Sequence, residues 1–244
     1  MRWVPASDAG VLRCSAHASM GIEIIPTILV KTQEDAEKRI TTMEGRVPWM
    51  QIDVVDGKFA PNLTWGDPLF IKNLNTTIRF EIDLMVMDPE TQAKAWLEAV
   101  PRVGRIYFHQ EAAGNRTHNI ITRIQKAGAE AGIAINPKTK IEVLYPFATR
   151  ADAVLLLGVD PGFYGSPFYE ETVERVVRLH EKFPNLPITV DGGVNPERAQ
   201  KLALAGASRL AVGSFIWNSG NPVAQWEALS HASNEKMRMQ NEKP

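Results

Sequence analysis

Residues 187–217 read PITVDGGVNPERAQKLALAGASRLAVGSFIW, and this stretch decides the fold. An apolar run ends in Asp191-Gly192-Gly193. Asn195-Pro196 then opens a segment with helical spacing, the capping side chain preceding a proline at the first helical position. Gly206 stands where a helix C-terminal glycine belongs, and a second apolar run starts at Arg209. Both runs are apolar on consecutive positions, as in strands of a parallel sheet covered by helices on both faces.

The same alternation extends towards the N-terminus. Strands are expected at 22–29 (IEIIPTIL), 49–56 (WMQIDVVD), 78–86 (IRFEIDLMV), 105–111 (RIYFHQE), 130–137 (EAGIAINP), 153–160 (AVLLLGVD), 187–193 and 209–217. Most segments between them have helical spacing, several opening with Asp-Pro or Asn-Pro, and Gly128 marks another helix end. Eight such units predict an α/β fold, a single-domain (β/α)8 TIM barrel. An open doubly wound sheet would need a G-x-G-x-x-G turn after an early strand, and none is present. The barrel is expected over 20–232, between a poorly ordered extension at 1–19 and a polar, fraying tail at 233–244. Asp8 and Arg13 interrupt the extension where a secretory signal needs an apolar core, and Met20 is an alternative start.

Composition narrows the partners. A net charge of −1 leaves no basic footprint, so neither nucleic acid nor an anionic membrane surface is expected. No apolar run reaches the length of a membrane span. Cys14 is the single cysteine, which excludes an intrachain disulfide and makes a reduced, cytoplasmic setting the default.

In such barrels chemistry sits at the C-terminal strand ends. Gln51, Asp53 and Val55 share one parity, as do Glu81, Asp83 and Met85, and His109 and Glu111. Asp before Gly is a turn signal, and that is the preferred reading for Asp56. Asp53 and Asp83 lie inside apolar strands, where an unpaired carboxylate is costly to bury, so a site holding Asp53, Asp83 and Asp191 is favoured. His109 alone reads as a wall residue. Glycines after the last two strands, in DGGV and in Val212-Gly213-Ser214, suit a phosphate held by backbone N–H groups, and a small phosphorylated sugar is the ligand expected.

The segments IIPTIL, WMQIDVVDGKFAPNLTWG, IDLMVMDPE, FHQE, NPKT, VDPGFYGSPF, VDGGVNPE and VGS, in this order, resemble the ribulose-phosphate 3-epimerase family from about Ile22 to Trp217. The resemblance implies an isomerase of carbohydrate metabolism, acting in pentose phosphate chemistry and inverting C3 of a ketose phosphate through an enediolate. Asp53 and Asp191 would be its acid–base pair and Thr27 would contact substrate. Gly162, Phe163, Tyr164 and Gly165 would form the loop over the substrate, and Gly192, Gly193, Gly213 and Ser214 would hold the phosphate. Barrels of this family commonly self-associate, so a homo-oligomer is expected.

The chain departs from the family where the metal binds. Two family histidines are Gln51 and Asp83 here, a family glycine of the substrate loop is Tyr164, and family methionines are Val55 and Leu157. Asp53, Asp83 and Asp191, with Gln51, offer only oxygen, which suits Mg²⁺ or Mn²⁺ better than Zn²⁺. Without a cation, at least one carboxyl would be protonated at neutral pH. The alternatives are a metal-free, non-catalytic phosphosugar-binding or regulatory relative, and a sugar-phosphate lyase of the same barrel superfamily. Against the lyase, Asp53-Val54-Val55-Asp56 lacks the lysine of D-x-K-x-x-D, and strand 6 has no Schiff-base lysine.

Overall fold

A computed structural model describes residues 21–241; the expected extension at 1–19, Met20 and residues 242–244 lie outside the described residues. Parallel strands β1 (Glu23–Ile28), β2 (Trp49–Val55), β3 (Arg79–Met85), β4 (Val103–His109), β5 (Glu130–Ile135), β6 (Ala153–Leu157), β7 (Ile188–Asp191) and β8 (Arg209–Val212) close in sequence order into one barrel. Around it run α1 (Gln33–Met43), α2 (Pro68–Asn73), α3 (Pro89–Ala99), α4 (Gln110–Ala113), α5 (Thr117–Lys126), α6 (Glu171–Lys182), α7 (Pro196–Ala205), α8 (Ser214–Trp217) and α9 (Pro222–Asn241).

The punctuation read from sequence forms the helix ends. Asp67, Asp88 and Asn195 each cap a helix whose first turn carries a proline, their side chains accepting from Leu69, Thr91 and Arg198 N–H. Gly206 closes α7 at φ 105°, a left-handed conformation that glycine adopts without steric penalty. Alternate strand residues, among them Ile52, Phe80, Ile106 and Val190, pack outward with Trp96 and the other buried helix residues into one large core.

Several strands are shorter than expected. Strand 8 stops at Val212, and Ser214–Trp217 is a helical turn instead of its continuation. Once the chain leaves the ladder at Gly213, local helical bonds replace the lost sheet bonds: Ile216 and Trp217 N–H donate to the Gly213 carbonyl. Likewise β4 ends at His109, so Glu111 lies on α4. The 140–149 segment forms only a 3₁₀ turn at Ile141–Leu144. The α9 backbone is helical through Asn241.

The barrel interior changes character along its axis. At the N-terminal end Arg105 pairs with Glu81 and, at 2.7 Å, with Glu130, while Arg209 reaches Glu23 at 3.6 Å. One layer up, the Tyr107 hydroxyl bonds Thr189 Oγ1 at 2.7 Å. Glu81 therefore belongs to this ionic plug, although it shares its face with Asp83. Among the described residues, these ion pairs fill the N-terminal end and leave the C-terminal mouth for a ligand.

Candidate active site

Strand register assembles the acidic cluster. Asp53 lies beside Asp83 across the β2–β3 ladder, and the closed barrel brings Asp191 of β7 opposite. All three are buried, and one carboxylate oxygen of each lies within 4.8 Å of the others. Gln51 ties two of them together: its Nε2 donates to Asp53 Oδ1 at 2.6 Å and to Asp191 Oδ2 at 2.7 Å.

Burial disfavours the charged form, so it pushes the Asp191 carboxyl up to about 8, with the charge of Asp83 adding to the shift. Asp53 is raised well above the ordinary range, first by burial, then by repulsion from Asp191 and Asp83, against the Gln51 hydrogen bond. At neutral pH, with no cation bound, the pair therefore carries at least one proton.

His109, read from sequence as a wall residue, is the nearest counter-charge. Its Nε2 lies 3.4 Å from Asp83 Oδ1 and its Nδ1 3.6 Å from Glu111 Oε2. Burial favours the neutral ring, but these two carboxylates outweigh it and push the imidazole up to about 9. Glu111 is drawn down to about 2, its partial burial overcome by His109 and by the Thr139 and Asn136 donors. The signal for this pairing was the shared parity of 109 and 111 at a strand end.

Above the cluster a cavity of about 60 Å³ is lined by Asp53, Asp191, Gly192, Gly193, Gly213, Ser214 and the Pro161–Ser166 segment. It thus gathers both proposed acid–base residues and the proposed phosphate glycines. Gly192 and Gly193 have φ of 92° and 69°, and a Cβ on them would stand 2.5 Å from Val159 and 2.7 Å from Phe168, so both positions demand glycine. Phe163 is half exposed at the rim. Thr27, in contrast, lies behind Tyr164: its Oγ1 is 3.1 Å from the Tyr164 hydroxyl. Asp56 is structural, accepting from Lys58, Phe59 and Met87 N–H.

The PNLT segment contributes contacts to which the sequence assigned no role. Thr64 Oγ1 donates to the Asp53 carbonyl at 2.6 Å and accepts from Val55 N–H, holding the end of β2. Asn62 Nδ2 donates to the Gly162 carbonyl at 2.5 Å and so ties the substrate loop to the β2 end.

A profile of the ribulose-phosphate 3 epimerase family matches residues 23–217, the whole barrel from β1 to α8. The chain belongs to the ribulose-phosphate 3-epimerase family. It is 32% identical over 228 residues to ribulose-phosphate 3-epimerase of Schizosaccharomyces pombe, covering 91% of this chain and 97% of the relative. It is likewise 32% identical to the Chlamydia trachomatis enzyme, covering 84% and 91%. Membership makes this chain an epimerase-type isomerase with a phosphorylated sugar as substrate. Among solved structures, 3-hexulose-6-phosphate synthase of Salmonella typhimurium superposes with a TM-score of 0.67 at 13% identity, covering 88% of this chain and 99% of that one. Orotidine 5′-phosphate decarboxylase of Pyrococcus horikoshii gives 0.62 at 15%, covering 86% and 98%. At such identities the likeness concerns the fold.

Proposed function

We propose that the protein inverts C3 of a ketose phosphate, with Asp53 and Asp191 as the two acid–base groups. The observation that carries this reading is the Gln51-bridged pair, buried together at the floor of a pocket with glycines along its rim. A two-base epimerisation needs one carboxylate ionised and one protonated at the working pH, and mutual repulsion in a buried site supplies that state. The ionised member removes the C3 proton, and the C–H electron pair passes towards the C2 carbonyl to form an enediolate. The protonated member returns a proton to C3 on the opposite face, leaving the pair in its mirror protonation state. Backbone N–H groups of Gly192, Gly193, Gly213 and Ser214 hold the phosphate away from the acid pair.

The donor atoms of the cluster suit a cation. Both Asp83 carboxylate oxygens and Gln51 Oε1 are buried without a hydrogen-bond partner, beside Asp53 and Asp191. These are acceptors only, all oxygen, and they fit a divalent ion of the Mg²⁺ or Mn²⁺ type held by Asp53, Asp83 and Asp191 with Gln51. Such an ion, when bound, supplies positive charge for the oxyanion that develops at C2. Gln51 would then turn its oxygen, not its NH₂, towards the cluster. A cytoplasmic homo-oligomer is the proposed form, on the single cysteine and the habit of the family.

The test is proton exchange in D₂O. A ketose 5-phosphate incubated with the protein and Mg²⁺ or Mn²⁺ should gain deuterium at C3 and convert to its C3 epimer, both followed by NMR. Absence of exchange at C3 with every divalent ion, in protein that still binds the sugar phosphate, would overturn the epimerase assignment for this site.

A further inference from the structure

Tyr164 lies in the Pro161–Ser166 segment after β6, and its side chain is held from several directions. The hydroxyl accepts from Leu29 N–H at 3.0 Å and from Arg39 Nη1 at 2.8 Å, and donates to the Thr27 carbonyl at 3.1 Å. Arg39, on α1, has its guanidinium 5.3 Å from the Tyr164 ring centre and 4.8 Å from that of Trp217. Trp217 Nε1 in turn donates to the same Thr27 carbonyl at 2.6 Å. Among the described residues no carboxylate pairs with Arg39, so its charge is directed at these two rings.

The ring packs against Gly213, in the loop proposed to seat the phosphate. A Cβ on Gly213 would stand 2.2 Å from Tyr164 Cε1 and 2.8 Å from Thr27 Oγ1. With Tyr164 docked, its side chain forms one wall of the cavity that also holds Asp53 and Asp191. The Pro161–Ser166 segment lines the same cavity. Gly162 and Gly165, at φ 99° and 79°, bracket Phe163 and Tyr164 in a left-handed backbone that glycine adopts without strain. The space left over Gly213 depends on whether the Tyr164 hydroxyl keeps these partners.

We propose that Tyr164 is the specificity-determining residue for ligand length, and that Arg39 is a positioning residue acting through it. This rests on the sugar-phosphate reading of the pocket. A chain of five carbons leaves room for the ring to dock on Gly213 and reach Thr27, Leu29 and Arg39. One further CHOH group between the acid pair and the phosphate pushes the phosphate into the ring's place and keeps the loop from closing. Arg39, outside the cavity, sets how firmly the docked position is held.

The experiment measures binding of a pentitol 5-phosphate and a hexitol 6-phosphate by calorimetry. Neither has a carbonyl, so neither can be epimerised, and the readout survives if the catalytic assignment fails. Inorganic phosphate serves as the length-independent probe. The unmodified protein should prefer the pentitol by about tenfold or more, the usual discrimination for one carbon unit in a fitted site. Tyr164→Gly should bring the two ligands to within about threefold, mainly by gaining hexitol affinity. Tyr164→Phe and Arg39→Met keep the ring but remove its anchors, and both should fall between. A preference unchanged in a folded Tyr164→Gly protein, or absent from the unmodified one, would overturn the role of Tyr164. Should Tyr164→Gly fail to fold, unchanged preference in Tyr164→Phe and Arg39→Met would do the same. Loss of preference in Tyr164→Phe but not in Arg39→Met would remove Arg39 from the account.

Discussion

Stripped of divalent cations, the protein should lose stability as the pH rises from about 5 to about 8. The cause is Asp191, whose carboxyl moves from an ordinary value of 3.8 in the unfolded chain to about 8 in the fold. Between those values the folded state holds a proton that the unfolded state has released, so each rise in pH favours unfolding. His109 acts in the same direction. Its pKa rises from 6.5 to about 9, so its stabilising contribution is complete below 6.5 and is lost as the pH passes through 9. Glu111, lowered to about 2, contributes stability that is present above 4.5 and is constant across this range. For Asp191 alone, about four pH units at about 1.4 kcal/mol each set an upper bound of roughly 6 kcal/mol. That is a large fraction of the stability of an ordinary domain. The assay is urea unfolding at fixed temperature, in chelator, at several pH values across the range, repeated with Mg²⁺ or Mn²⁺. With the cation the decline should flatten or reverse, because the ion binds only the ionised carboxylates. Stability that is level or rising across this range in chelator would refute the proton-sharing picture of Asp53 and Asp191.

Further outcomes follow from the same geometry. Asp53→Asn should abolish turnover, by at least about a thousandfold, while sugar-phosphate affinity measured by calorimetry changes little. Gly213→Leu would drive a side chain into Tyr164 and Thr27, and should weaken sugar-phosphate binding by more than about tenfold with a smaller effect on the melting temperature. The unmodified protein should not retain stoichiometric zinc after dialysis, since the convergent ligand atoms of Asp53, Asp83 and Asp191 are all carboxylate oxygens; Gln51→His with Asp83→His should restore zinc binding, read by metal analysis.

What the sequence determined by itself is local or periodic. Capping residues, glycine stops and two-sided apolar runs are properties of a few neighbouring positions, and eight repeats of them admit one closed parallel architecture. Strand parity put Asp53 and Asp83 on the inward face, and the order of the motifs carried the family. Where strands end was less legible: Ser214-Phe215-Ile216-Trp217 is as apolar as a strand, and only the departure of Gly213 from the ladder makes it helical. Contacts between distant residues were decided by the tertiary structure alone. Glu81 and Asp83 share a face, yet one is bound to Arg105 in the plug and the other faces His109 at the mouth. The amide of Gln51 joins Asp53 to Asp191 across the barrel, and Arg39 reaches Tyr164 from 125 residues away. The physical reason is that a pKa, an ion pair or a docked ring depends on distance and burial in space. Periodicity along the chain specifies which way a residue points, and barrel closure specifies what it meets there.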